Sequence, residues 1–167
     1  MSRPSLVDTR LSGLCDLWEE KRAGRSMPDR ADFDPSILKP WLGNLILIDV
    51  EPNGVFRYRL YGSVFVSRFG VEMTNRTIDQ LAPAECEAIR RDYESVVTTR
   101  LPSSRLYTSH FDIIDVNRRL SIQREETWER LVLPLTNGRS GGGLESAGVE
   151  SVDLLMVAAY ELSNVDE

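Results

Sequence analysis

The sequence predicts an α+β fold: a five-stranded antiparallel sheet with helices inserted between its second and third strands. Three observations carry this expectation. Residues 45–50 form a nearly continuous apolar run, joined through Glu51-Pro52-Asn53-Gly54 to a segment where Phe56, Tyr58 and Leu60 alternate with Arg57, Arg59 and Tyr61. Residues 84–98 place Cys86, Ile89, Tyr93, Val96 and Val97 on one helical face. After Pro102 the apolar period returns to two, with strands expected near 105–113, 127–135 and 151–162.

The elements follow in chain order. Asp8 or Thr9 caps a first helix whose Leu11, Leu14, Cys15 and Trp18 keep the i, i+3, i+4, i+7 rule. Lys21, Arg22 and Arg25 lie at its carbonyl end, where cations suit the helix dipole, and Gly24 stops it. Asp34-Pro35 reads as N-cap and first position of a short helix carrying Ile37, Leu38 and Trp41. The uninterrupted run at 45–50 predicts a central strand covered on both faces; the half-polar 55–61 predicts an edge strand paired to it. Ser63 caps a short helix with Val64, Phe65 and Phe69 turned inward, ending at Gly70, and residues 77–81 make another. Residues 115–119 read as a hairpin tip, and 137–148, with five glycines, as the connection to the last strand. The organisation is thus a helical preface over 1–42, a core domain over 43–162 and a tail over 163–167.

Composition narrows the function classes. A chain of 167 residues with 41% apolar and 28% charged positions suits one globular domain and excludes a disordered one. No apolar run approaches the roughly 20 residues of a membrane span. The early charges Arg3, Asp8, Arg10, Asp16, Glu19 and Glu20 leave no signal-peptide core, so a cytoplasmic protein is expected, away from membranes. The acids of 1–140 balance all 20 bases, and the net charge of −6 sits beyond them as Glu145, Glu150, Asp153, Glu161, Asp166 and Glu167. That distribution lacks the clustered basic face of a nucleic-acid binder. Cys15 and Cys86 read as reduced, half-buried residues, and with His110 the single histidine no metal site is expected.

Catalytic constellations are sparse. His110 and Asp112 share a face of an alternating strand and form the one pair a small enzyme on this scaffold would use. The glycine-rich stretch 137–143 lacks the lysine that a phosphate loop places on its ligand. Asp49 reads as a turn acceptor at a strand end, and Arg76 as a structural fork or an anion contact. The aromatic residues Phe56, Tyr58, Phe65, Phe69, Tyr93 and Trp128 could converge on the concave face as core or as the lining of a ligand pocket.

Several segments together resemble the PAS domain family, and more closely its stand-alone bacterial members with a helical preface. They are Leu17-Trp18, Met27-Pro28-Asp29-Arg30, Phe33-Asp34-Pro35, Leu47-Ile48-Asp49-Val50, Phe56-Arg57-Tyr58-Arg59-Leu60 with Gly62, Phe69-Gly70, Thr74 with Arg76, and Glu129-Arg130-Leu131 with Leu133-Pro134-Leu135. Asn75 stands where the family usually has glycine; asparagine also accepts a left-handed backbone, so the turn should survive. The stretch 113–126 and the loop 137–150 are longer than the family pattern, and both are expected to be expansions at loop tips.

The resemblance implies a sensory or regulatory module without catalytic activity, holding a small molecule between sheet and helices and passing its signal in trans to another protein. A ligand-free interaction adaptor is the alternative within the same fold. Thr74 and Arg76 become polar pocket or turn candidates. Neither a haem ligand nor the flavin-reactive cysteine motif of light-sensing relatives is present, Cys86 lying in Ala84-Glu85-Cys86-Glu87-Ala88, so no haem, flavin or metal is expected. The stripe on the first helix needs cover, from its own sheet or from the matching helix of a second subunit. The resemblance favours a homodimer with Leu11, Leu14 and Trp18 at its interface.

Overall fold

The computed structural model describes residues 3–115, 120–138 and 150–162, with the backbone alone at 111–115 and 120–122. Five strands, β1 (Leu45–Glu51), β2 (Val55–Tyr61), β3 (Ser103–Asp115), β4 (Leu120–Leu135) and β5 (Leu154–Glu161), form one antiparallel sheet in the order β2-β1-β5-β4-β3. Four helices accompany them: α1 (Thr9–Arg22), α2 (Pro35–Leu38), α3 (Ser63–Phe69) and α4 (Pro83–Thr99). The apolar run of β1 lies between β2 and β5 and β2 is an edge, as their patterns require.

Helices cover both faces of the sheet. Helix α1, capped by the Asp8 side chain, packs on β4 and β5 and buries Leu11, Leu14, Cys15 and Trp18. The stripe therefore takes its own sheet as cover. Leu11, Leu14 and Trp18, expected at a dimer interface, are at most 1% exposed in the single chain, and the Trp18 indole donates to the Pro134 carbonyl at 2.9 Å.

Helix α4 lies on the concave face, with Ile89, Asp92, Tyr93 and Val96 buried. Helix α3 differs from expectation in two ways. Its N-cap is Gly62 rather than Ser63, and only Phe65 is buried, while Val64 and Phe69 are each 37% exposed. Gly62 is fixed by backbone crossing: a Cβ there would stand 2.3 Å from the Gly43 carbonyl oxygen. The turn at Asn75 does adopt a positive φ of 69°, pairing its N–H with the Tyr58 carbonyl at 2.7 Å.

Within the stretch 113–126, residues 113–115 belong to β3 and 120–126 to β4 rather than to a loop, with Asp115 paired to Leu120. Asp115 of the expected tip at 115–119 is therefore strand, while 116–119, and 139–148 of the glycine-rich connection, lie outside the described residues.

Candidate functional site

Strand β4 presents two chemically different faces. Toward α1 it turns Glu129, Leu131 and Leu133, all at most 2% exposed. Toward α3 and α4 it turns Glu126, Trp128 and Arg130, each likewise buried, so three successive inward positions carry polar groups.

Each of the three is held differently. The Glu126 carboxylate accepts from Arg68 Nε at 3.0 Å and Nη2 at 2.5 Å, with Arg124 Nε at 3.4 Å. Arg68 also pairs with Glu161, so one side chain of α3 ties the middle of β4 to the end of β5. The Arg130 guanidinium pairs with Asp92 of α4, whose other oxygen takes Arg105 at 2.7 Å, and its Cζ lies 5.0 Å from the Tyr107 ring centroid. Trp128 packs against Phe65 and Phe69, with centroids 6.3 and 6.0 Å away.

Two buried side-chain donors on this face have no acceptor among the described residues: Trp128 Nε1 and Arg130 Nε, two residues apart. Buried polar atoms are nearly always satisfied, so two adjacent vacancies of the same kind single out this face. A groove of about 360 Å³ opens beside Trp128, lined also by Asn44, Ser63, Ser67, Arg68 and Glu161, while Arg130 lies outside its lining.

Four tyrosines surround the Arg130 end. Phe56 meets Tyr93 edge-on at 5.4 Å, and Tyr58 meets Tyr61 at 5.4 Å. Burial pushes the Tyr93 and Tyr107 phenols up to about 12 and those of Tyr58 and Tyr61 higher still, so all four stay protonated. Glu85, on the first turn of α4, lies within electrostatic reach of all four and of Arg130; its side chain reaches solvent, yet partial desolvation by its neighbours raises its carboxyl above the ordinary range while Arg130 lowers it.

The structure thus sorts the sequence candidates. Phe56, Tyr58, Phe65, Tyr93 and Trp128 converge on the concave face, with Phe69 half-exposed at its margin. Thr74 and Arg76 do not join them: the Thr74 hydroxyl bonds Glu72, and Arg76, exposed, contributes its carbonyl to the Tyr58 N–H. Asp49 is no turn acceptor but a cross-strand partner, accepting from Arg59 Nε at 2.8 Å. His110 has a 67% exposed side chain, with Nδ1 3.4 Å from Glu125; the side chain of Asp112 lies outside the described residues. Among the described residues no cluster of three or more His, Cys, Asp and Glu could hold a metal, and no helix is long and apolar enough to cross a membrane.

Tyr61, Tyr107, Arg130, Asp92 and Glu85 were not legible as site residues. Arg130 had a signal, since alternation along β4 places it on the Trp128 side. Tyr61 had none, because a bulge around Arg59 shifts the register: Ile46 faces Tyr61 while Ile48 faces Tyr58, which brings both tyrosines to one side.

The strand order and the helices between β2 and β3 define an α+β domain with a polar concave face. A family model for the PAS domain matches residues 8–140, and the chain belongs to that family. A comparison with curated proteins returns no match.

Proposed function

We propose that this PAS domain is a non-catalytic sensor of bacterial signalling, acting in the cytoplasm on another protein in trans, and that it reads a small molecule held between the sheet and helices α3 and α4. The observation that carries this reading is a groove of about 360 Å³ lined by Arg68 of α3, Trp128 of β4 and Glu161 of β5, where the buried Trp128 Nε1 has no acceptor among the described residues. An acceptor-bearing ligand that reaches Trp128 Nε1 satisfies it, and the desolvation cost of the bare donor, about 1–3 kcal/mol, becomes binding energy. The site lies where helix and sheet meet, so occupancy bears on Arg68 and its clamp across Glu126 and Glu161.

The ligand-free adaptor draws support from a different observation, the direct packing of Phe65 on Trp128 and of Phe56 on Tyr93. Native mass spectrometry of freshly purified protein separates the two. The sensor reading expects a small added mass that denaturation releases, or a raised melting temperature with some member of a metabolite panel. The bare polypeptide mass together with an unmoved melting temperature throughout the panel contradicts it.

A further inference from the structure

The two edges of the sheet are finished differently. Along β2 the outer edge is capped: the Tyr58 N–H donates to the Arg76 carbonyl at 2.9 Å, the Tyr58 carbonyl accepts from Asn75, and Arg57 forms an isolated bridge with Thr77. Along β3 no backbone bond is made to the outer side among the described residues. This edge runs in unbroken register from Ser103 to Asp115, without a bulge, a proline or a lysine. Those are the devices that keep a long edge from pairing with another chain. Leu106 stands on it 54% exposed. The strand also outruns its support. Strand β5 pairs with β4 only from Trp128 onward, so 109–115 and 120–126 pair with each other alone among the described strands. A two-stranded ribbon is marginal in water by itself.

We propose that β3 is completed by the β3 of a second copy of this chain, the two strands running antiparallel about a twofold axis at His110. The occupant follows from the sheet itself. Because the β2 edge is capped, the bare edge of one copy finds a matching bare edge only in β3 of another, and that pairing closes as a dimer. Antiparallel strands set residues of the same sheet face opposite each other. Centred on His110, the register sets Arg105 of one copy opposite Asp115 of the other, Leu106 opposite Ile114, and Tyr107 opposite Ile113, each twice. Moving the centre to Ser109 sets Leu106 against Asp112 and Arg105 against Ile113; moving it to Phe111 sets Tyr107 against Asp115. Opposite charges and apolar pairs directly across strands stabilise a sheet, and the His110 register supplies both.

Sedimentation velocity of the full chain over a concentration series tests this. Twice the chain mass is expected. Leu106→Lys, at an exposed position, should raise the dissociation constant at least tenfold while leaving the melting temperature of the subunit in place. Arg105→Glu and Asp115→Arg should each weaken the dimer alone, because like charges then face each other. Mixed together, the two variants should pair again, because opposite charges face in both places. His110→Cys, in a Cys86→Ser background, should cross-link to itself under mild oxidation, whereas Arg59→Cys on β2 should not. Should Arg105→Glu lose its fold with its bond to Asp92, Leu106→Lys and the cross-link carry the test. A monomer at every concentration overturns the proposal, even if a different protein is later found on β3. A dimer untouched by Leu106→Lys, or one in which His110→Cys does not cross-link, is built elsewhere and overturns it too.

Discussion

The buried carboxylate of Glu129 accepts the backbone N–H of Asp8 at 2.7 Å, and its two oxygens also receive the N–H of Val7 at 2.9 and 3.1 Å. A strand side chain thereby satisfies orphan donors just before α1, while Asp8 caps the first turn from within and pairs with Arg10. The helical layer on the convex face is thus joined to β4, the strand that carries the candidate site on its other face.

Replacing Glu129 by alanine should destabilise the protein by about 1–3 kcal/mol, the cost of buried donors left without an acceptor. Urea denaturation followed by circular dichroism measures it. A loss below half a kcal/mol would mean that water replaces the carboxylate and that the tie is unimportant.

Trp18→Ala should cost about 3–5 kcal/mol, because a fully buried indole and its bond to Pro134 are both removed. The loss should appear as a lowered denaturation midpoint. A variant that keeps its midpoint but changes its mass in light scattering would return the stripe to a subunit interface.

Gly62→Ala should be among the most damaging small substitutions in the chain. The new methyl meets the Gly43 and Leu45 carbonyl oxygens at 2.3 and 2.8 Å, and backbone cannot turn aside as a side chain can. Gly70→Ala, with φ of 72° but open space, should cost only about 1 kcal/mol. Comparable melting temperatures for the two variants would show that the crossing at Gly43 has room to open.

All five tyrosines have phenols raised above the ordinary 10.0, with burial the leading cause in each. The folded chain holds these protons more tightly than the unfolded one. Below pH 10 both states are protonated and stability is full; above it the unfolded state releases protons first and stability falls, until Tyr93 and Tyr107 ionise at about 12. Tyrosinate absorbance should therefore stay low at pH 10 and rise together with unfolding. Half-ionisation of the folded protein at pH 10 would place the phenols in water.

Much of the fold was readable because each element keeps one period. The unbroken run of β1 signalled neighbours on both sides, and Asp8 and Asp34 marked helix starts that the structure places there. The site was less readable, because its members come from distant parts of the chain. Tyr61 turns inward only through the bulge at Arg59, and Arg130 acquires meaning only once Asp92 lies over it. Alternation predicts which face a side chain takes, not that its N–H will find no acceptor there. Val64 and Phe69 depart from the helical pattern because α3 buries Phe65 alone, while Phe69 meets Trp128 from the margin of the core.

The most direct test of the account is a nitrogen–proton correlation spectrum of the intact protein during titration with the members of the metabolite panel. The three tryptophans give three indole signals: Trp18, bonded to Pro134; Trp41, bonded to the Arg10 carbonyl at 2.8 Å; and Trp128, with no acceptor among the described residues. The account predicts that a metabolite that binds moves the Trp128 indole saturably, while Trp18 and Trp41 stay in place as internal controls. If Trp128 remains still while a metabolite binds, or all three indoles shift alike, the groove beside Trp128 is not the ligand site.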